Sequence, residues 1–206
     1  KNTDTSLTFF SGYDCDSLAF EKITGFAEKA LEFFANFSSV ELELRTKSIV
    51  SETLLERSPI SNCIVAYSLS PSNLAGVLDN KAPSIERRVN ALKTLAKNGW
   101  TVGLRFDPLI YCSGWENLYS ELIQDIFTDI NIDKVHSVSH GPLRFPKEMY
   151  KKITSLYPDD KLFSFPMETK GGIVSYGTDI EQEMSLFLQS ELEKYTTKKK
   201  IFRCLV

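Results

Sequence analysis

Between residues 40 and 156 the chain alternates short apolar runs with longer amphipathic ones, and this alternation constrains the fold more than any other feature. Residues 40–46 alternate strictly, with Val40, Leu42 and Leu44 on one parity and Glu41, Glu43 and Arg45 on the other. That two-residue period predicts a half-buried strand. Residues 63–69, 100–106 and 134–139 are the next strand-like runs. Helical spacing separates them. Residues 51–57 predict a short helix stopped by Pro59. Ser84 caps a helix carrying Ile85, Val89, Leu92 and Leu95 that ends at Gly99. Gly114 opens a helix with Leu118, Leu122, Ile123 and Ile126 on one side, and residues 146–156 form another. Strand–helix–strand repetition at this spacing predicts parallel βαβ units.

Outside this region the pattern predicts a strand end at residues 7–10 and a helix over residues 18–37 capped by Asp16 or Ser17. A late helix is predicted at residues 180–195 and a short strand at 201–205. We read residues 1–206 as a single domain, with barrel units over 1–157 and a C-terminal extension over 158–206.

Barrel and open sheet are separated by strand polarity. A strand in a doubly wound sheet is usually apolar on both faces. Here Arg45 and Lys47 share a parity, as do Arg105 and Asp107, and Ser137 and Ser139. A barrel with a polar ligand in its lumen has this pattern, and so do ordinary polar residues at strand ends. The expectation is a partial parallel β/α barrel.

Composition narrows the function. The net charge is -3, which gives no global basic footprint for nucleic acid, although a local patch is compatible with it. No apolar run approaches the ~20 residues that span a bilayer. The first residues lack the apolar stretch of a secretory signal. The four cysteines, at 15, 63, 112 and 204, are too scattered for a disulfide framework and predict a reducing cytoplasm. No CxxxCxxC or CxxC spacing occurs, so this stretch by itself offers no multi-cysteine cluster site, and no metal ligands are assigned.

Four ordered segments carry a resemblance. They are Gly12-Tyr13-Asp14-Cys15-Asp16-Ser17-Leu18 with Ile23-Thr24 following; Leu44-Arg45-Thr46-Lys47; Tyr67-Ser68-Leu69-Ser70 with Ala82-Pro83-Ser84-Ile85-Glu86-Arg87-Arg88; and Gly103-Leu104-Arg105-Phe106-Asp107-Pro108-Leu109-Ile110 with Gly114-Trp115. Together, over residues 7–150, they resemble the spore photoproduct lyase family. The resemblance implies a radical S-adenosylmethionine barrel that repairs a thymine dimer lesion in DNA. It implies a four-iron, four-sulfur cluster on an N-terminal CxxxCxxC loop, which would lie in a segment outside this sequence. Cleavage of the cofactor would give a deoxyadenosyl radical that abstracts hydrogen from the lesion.

The resemblance also implies roles for single residues. Lys47, at a strand end, would reach the cofactor carboxylate; from the residues alone it is equally a solvated lysine opening a loop. Ser68 would contact the cofactor, or else satisfy local backbone groups. Asp107 would lie at the cofactor, where the family's contact is largely through backbone; an aspartate there can instead hold ribose hydroxyls, as acids do in other nucleotide sites, or make a turn before Pro108. Cys15 is the candidate catalytic residue. The family's hydrogen-donating cysteine falls on Tyr13 in ungapped register, and Cys15 falls on a cofactor-contacting serine. Cys15 is therefore the donor in a rearranged loop, a cofactor contact, or a buried inert thiol.

Cys112 is a weaker second candidate. Cys63 reads as core, and Cys204 falls outside the matched region. His136 and His140 read as structural. Arg144, ahead of a helix, reads as an anion contact or an ion pair. Lys198, Lys199, Lys200 and Arg203 form a basic cluster that either touches a DNA backbone or is solvated. The family's arginine-rich DNA-gripping hairpin is not recognisable after Asp160. Alternatives to lesion repair are a radical enzyme with another substrate, and a barrel-like binding module without radical chemistry. Oligomeric state is not readable from these features.

Overall fold

The computed structural model describes residues 7–12 and 15–204. Tyr13, in the register of the donor, and Leu205, the end of the predicted last strand, lie outside the described residues.

The first strand, β1 (Leu7–Ser11), is followed by two short helices, α1 (Glu21–Thr24) and α2 (Phe26–Phe34). The sequence predicted one helix here. Gly25 adopts φ +56°, and this left-handed residue both ends α1 and starts α2. The Glu21 carboxylate accepts from the backbone N–H of Ala27 and Glu28 and so caps the second helix.

Next come β2 (Val40–Thr46), α3 (Glu52–Leu55), β3 (Cys63–Ser68), α4 (Ser72–Leu78) and α5 (Ile85–Lys97). Helix α4 was not predicted, because its seven residues carry too short a periodic run. The predicted cap at α5 is present, with the Ser84 side chain accepting from Arg87 N–H. Then follow β4 (Thr101–Leu109), α6 (Trp115–Phe127), β5 (Val135–Pro142), β6 (Arg144–Pro146) and α7 (Lys147–Leu156). The chain finishes with β7 (Met167–Lys170), β8 (Ile173–Tyr176), α8 (Thr178–Glu193) and β9 (Ile201–Arg203).

Six strands form one curled sheet in the order β1-β2-β3-β4-β5-β9, and every pairing in it is parallel. The order has no reversal of the doubly wound kind, and the sheet is the predicted half-barrel. Strand β9, beyond the predicted barrel units, lies in this sheet beside β5. Alternation sorts the side chains. Leu42, Leu44, Val65, Tyr67, Val102, Leu104 and Phe106 bury against the helices. Glu43, Arg45, Arg105 and Ser137 share the concave face and bond to one another.

A second sheet, β6-β8-β7, is antiparallel. An arginine-rich hairpin is not recognisable in the sequence after Asp160, and this sheet was not predicted. Strands β7 and β8 are a hairpin turned by Gly171-Gly172, both at positive φ. Gly-Gly between two strand-forming runs is a hairpin signal in the sequence itself. The hairpin carries Lys170 and no arginine.

Candidate functional site

The site lies at the C-terminal ends of β1 to β4, where parallel barrels place their chemistry. The loop after β1 is pinned to the end of β2 by one carboxylate. Asp16 Oδ1 accepts from Leu18 N at 2.9 Å, Ala19 N at 2.8 Å and Thr46 Oγ1 at 2.7 Å, while Oδ2 accepts from Lys47 N at 2.7 Å. The backbone N–H of Ser17 donates to Arg45 O at 3.1 Å. Gly12 has φ +88°, and a Cβ there would lie 2.4 Å from Arg45 O, so only glycine permits this approach.

Gly12, Cys15, Asp16, Lys47, Ser68 and Asp107 line one cleft of about 430 Å³, with Arg45 and Thr46 completing its wall. Lys47, Ser68 and Asp107 also meet at a smaller recess beside it. The three predicted cofactor contacts thus face a single concave site, and Cys15 stands at its rim with its residue surface exposed.

Sequence reasoning missed the partners of these residues. Lys47 Nζ donates to Asp79 Oδ1 at 2.5 Å, and the side chain stays 43% exposed. Asp79 Oδ2 accepts from Arg88 Nη1 at 2.7 Å. Arg88 is buried; its Nη1 also donates to Ser68 O at 3.2 Å and its Nε to Pro83 O at 2.9 Å. Burial acts to raise the Asp79 carboxyl, but the hydrogen bonds and charges of Lys47 and Arg88 outweigh it and hold the group below its ordinary value. Arg88 Nη2 is buried with no hydrogen-bond partner among the described residues, so the cluster has a donor to spare.

Asp107 is gripped by Arg144, with Nη1 to Oδ1 at 2.8 Å and Nη2 to Oδ2 at 2.9 Å. Of the two readings of Arg144, the structure gives the ion pair. Below the cleft, Glu43 accepts from Arg105 at 2.6 and 3.1 Å and from Arg45 at 2.9 and 3.2 Å. Arg105 also donates to Ser137 Oγ at 3.0 Å. This buried network gives the cleft a rigid polar floor.

The other candidates separate by position. Cys63 is buried, and burial pushes its thiol up to about 12. Cys112 packs at the edge of the core, its thiol raised by burial. Cys204, set aside in the sequence, is carried by β9 to the mouth of the sheet. Its N–H donates to His140 O at 2.7 Å, and burial and the Asp107 carboxylate push its thiol up. His136 Nε2 lies 3.6 Å from Glu41 Oε1. His140 is buried in β5. The basic cluster is partly used inside the fold: Lys200 Nζ donates to Val135 O at 2.5 Å and Ile132 O at 3.3 Å, and Arg203 pairs with Glu181 at 3.7 Å. Lys198 and Lys199 remain exposed.

The cleft has the charge to hold one ligand carboxylate, as the amino-acid end of S-adenosylmethionine would require. Lys47, Asp79 and Arg88 together carry one net positive charge, which suits one carboxylate. The described residues contain no group of three or more His, Cys, Asp or Glu side chains arranged to hold a metal ion, so they do not fit an iron–sulfur cluster.

A parallel β/α half-barrel with a polar ligand cleft at its strand C-termini is the class that fold and site define. Within that class, the chain belongs to the spore photoproduct lyase family, whose model matches residues 3–201. The spore photoproduct lyase of Bacillus subtilis (strain 168) is 22% identical over 149 residues, covering 71% of this chain and 44% of the relative. A solved spore photoproduct lyase mutant with dinucleoside spore photoproduct superposes with a TM-score of 0.81 at 19% identity, covering 95% of this chain and 60% of that one. Another mutant, with bound AdoMet and dinucleoside spore photoproduct, superposes with a TM-score of 0.79 at 19% identity over the same shares. The chain spans less than half the length of the curated relative it matches. No described helix is long and apolar enough to cross a membrane.

Proposed function

We propose that this chain forms the cofactor-binding wall of a radical S-adenosylmethionine lyase that repairs a UV-induced thymine dimer lesion in DNA. The observation that carries the reading is the convergence of Lys47, Ser68 and Asp107 on one cleft, in a chain of this family. The partner is damaged DNA, the compartment the cytoplasm, and residues 1–206 act as one domain. A four-iron, four-sulfur cluster is held by cysteines outside residues 1–206. Together the cluster and S-adenosylmethionine supply hydrogen-abstracting radical chemistry. Lys47 Nζ binds the cofactor carboxylate, a charge-assisted contact. Ser68 contacts the cofactor at the end of β3. Asp107 accepts from ribose hydroxyls through lone pairs that Arg144 leaves free. Cys15 returns a hydrogen atom from its S–H to the product radical, or it is a cofactor contact.

Two departures favour a second reading with another substrate: the hairpin carries no arginine, and Cys15 stands two positions from the donor register. The test is anaerobic reconstitution of the whole protein with iron and sulfide, followed by assays of cofactor cleavage and of reversal of dinucleoside spore photoproduct. Both activities are expected. Cofactor cleavage without reversal supports the other substrate, and loss of both supports a binding module. In Cys15→Ala, continued cofactor cleavage with by-products in place of repaired product marks a donor. A fall in cofactor cleavage marks a contact.

A further inference from the structure

The segment joining α4 to α5 is given no role in the proposed function, yet it holds an acid that two cations share at the site. Asp79 is the residue after α4, and its own N–H donates to Ala75 O at 2.9 Å. Its carbonyl accepts from Ala82 N at 3.1 Å, which folds the following turn back. Its carboxylate is shared between Lys47 and Arg88. Asp79 is thus fixed at its backbone and by a buried arginine, and the side chain is 11% exposed.

We infer that Asp79 and Arg88 are positioning residues, which aim Lys47 and the end of β3 at a ligand carboxylate; the inference rests on the cofactor reading of Lys47. A lysine side chain has four rotatable carbons and a strongly hydrated head, so a free Lys47 disperses its charge over many rotamers. Held by Asp79 in the recess that Ser68 and Asp107 also line, the ammonium presents its remaining donors from one place. Arg88 ties the same carboxylate to the carbonyl of Ser68, which sets the β3 terminus relative to Lys47. The charge count gives selectivity. Lys47 and Asp79 alone are neutral and have little to offer an anion. Arg88 restores one positive charge from a buried position, so the cluster takes a single carboxylate and does not accumulate a second.

The opposite arrangement has opposite consequences. If Asp79 merely competes with the ligand for Lys47, removing its charge tightens binding. If it positions Lys47, removing its charge weakens binding.

The test uses the reconstituted whole protein and equilibrium dialysis with two probes: S-adenosylmethionine, and 5′-methylthioadenosine, which lacks the amino-acid carboxylate. Asp79→Asn is expected to raise the Kd for S-adenosylmethionine about tenfold, as loss of a charge-assisted bond does, and to leave 5′-methylthioadenosine unchanged. Lys47→Ala is expected to do the same, and the double variant to bind no worse than Lys47→Ala alone. Asp79→Glu is expected to recover part of the loss. Tighter or unchanged cofactor binding in Asp79→Asn, with Lys47→Ala still weakened, overturns the positioning role and leaves the cofactor reading standing. Equal weakening of both probes shows a general structural role and also overturns it. Unchanged cofactor binding in Lys47→Ala overturns the cofactor reading itself, and the positioning role with it.

Discussion

Arg144 meets Asp107 in a two-pronged ion pair, and the pair joins the antiparallel sheet to the barrel strand β4. The geometry matches the two guanidinium nitrogens to the two carboxylate oxygens, which a lysine cannot do. Arg144 is also tied to Pro142 O at 3.0 Å. Its side chain is 29% exposed and that of Asp107 15%, so water screens the pair in part.

Arg144→Ala is expected to cost about 2 kcal/mol of stability, because it leaves a mostly buried carboxylate short of its partner. Arg144→Lys is expected to recover less than half. Urea unfolding of the protein and the two variants measures both. A change within experimental scatter for Arg144→Ala means the pair is ornamental to the fold.

Glu43 and Arg105 are buried to 2% and 5% side-chain exposure at the floor of the cleft. Removing one partner of such a pair leaves an uncompensated charge, and Glu43→Gln is expected to cost about 3–5 kcal/mol. Burial acts to raise the Glu43 carboxyl, but Arg105 first and then Arg45 hold it below its ordinary value of 4.5. A folded value depressed in this way contributes stability that is present above pH 4.5 and is lost as pH falls through the depressed value. Acid unfolding followed by circular dichroism is expected to show this loss in the native protein and its absence in Glu43→Gln.

His140 gives a second and earlier acid effect. It is 2% exposed, and burial, aided by Arg203 and opposed by Asp107, lowers its value from 6.5 to about 4. The unfolded chain takes up the proton first, so stability falls as pH drops from 6.5 towards 4. The full difference corresponds to at most about 3 kcal/mol. His140→Gln is expected to flatten the stability profile over that interval. An identical slope in both proteins contradicts a neutral, buried imidazole.

The four thiols are expected to alkylate in an order set by access. Cys15 is exposed and should react first, while Cys112 and Cys204 are half-buried, with thiols raised by burial. Cys63 is fully buried, with its thiol pushed up to about 12, and should resist until the chain unfolds. Timed iodoacetamide labelling read by mass spectrometry gives the order. Early modification of Cys63 would contradict the packing of β3.

Residues Tyr119 and Tyr176 brace the loop beyond β4. The Tyr119 hydroxyl accepts from Ile110 N at 2.9 Å, and the Tyr176 hydroxyl accepts from Tyr111 N at 3.1 Å. Phenylalanine at either position leaves an amide without its acceptor. Each substitution is expected to cost about 1–3 kcal/mol, more at Tyr119, whose bond is the more buried. Thermal unfolding of the two single variants checks the ranking.

Taken alone, the sequence determined the strands of the parallel sheet and the longer helices between them, and the placement of Lys47, Ser68 and Asp107 near the C-terminal ends of β2, β3 and β4; it missed α4, the break between α1 and α2, and the antiparallel sheet. The features it determined are consequences of local periodicity: a two-residue repeat is the signature of a strand face, and strands joined through a helix are usually laid parallel. The tertiary structure decided which charge meets which. Lys47 finds Asp79 32 residues away, Asp107 finds Arg144 37 away, and Glu43 finds Arg105 62 away. No local pattern encodes these pairs, because they depend on the curl and register of the whole sheet. The same curl brings β9 beside β5 and carries Cys204 close to the Asp107 carboxylate, although the chain around it lies outside the four matched segments. The split between α1 and α2 needed the left-handed backbone of Gly25, which the residue type permits and only the packing of Leu18, Ala27 and Leu31 imposes.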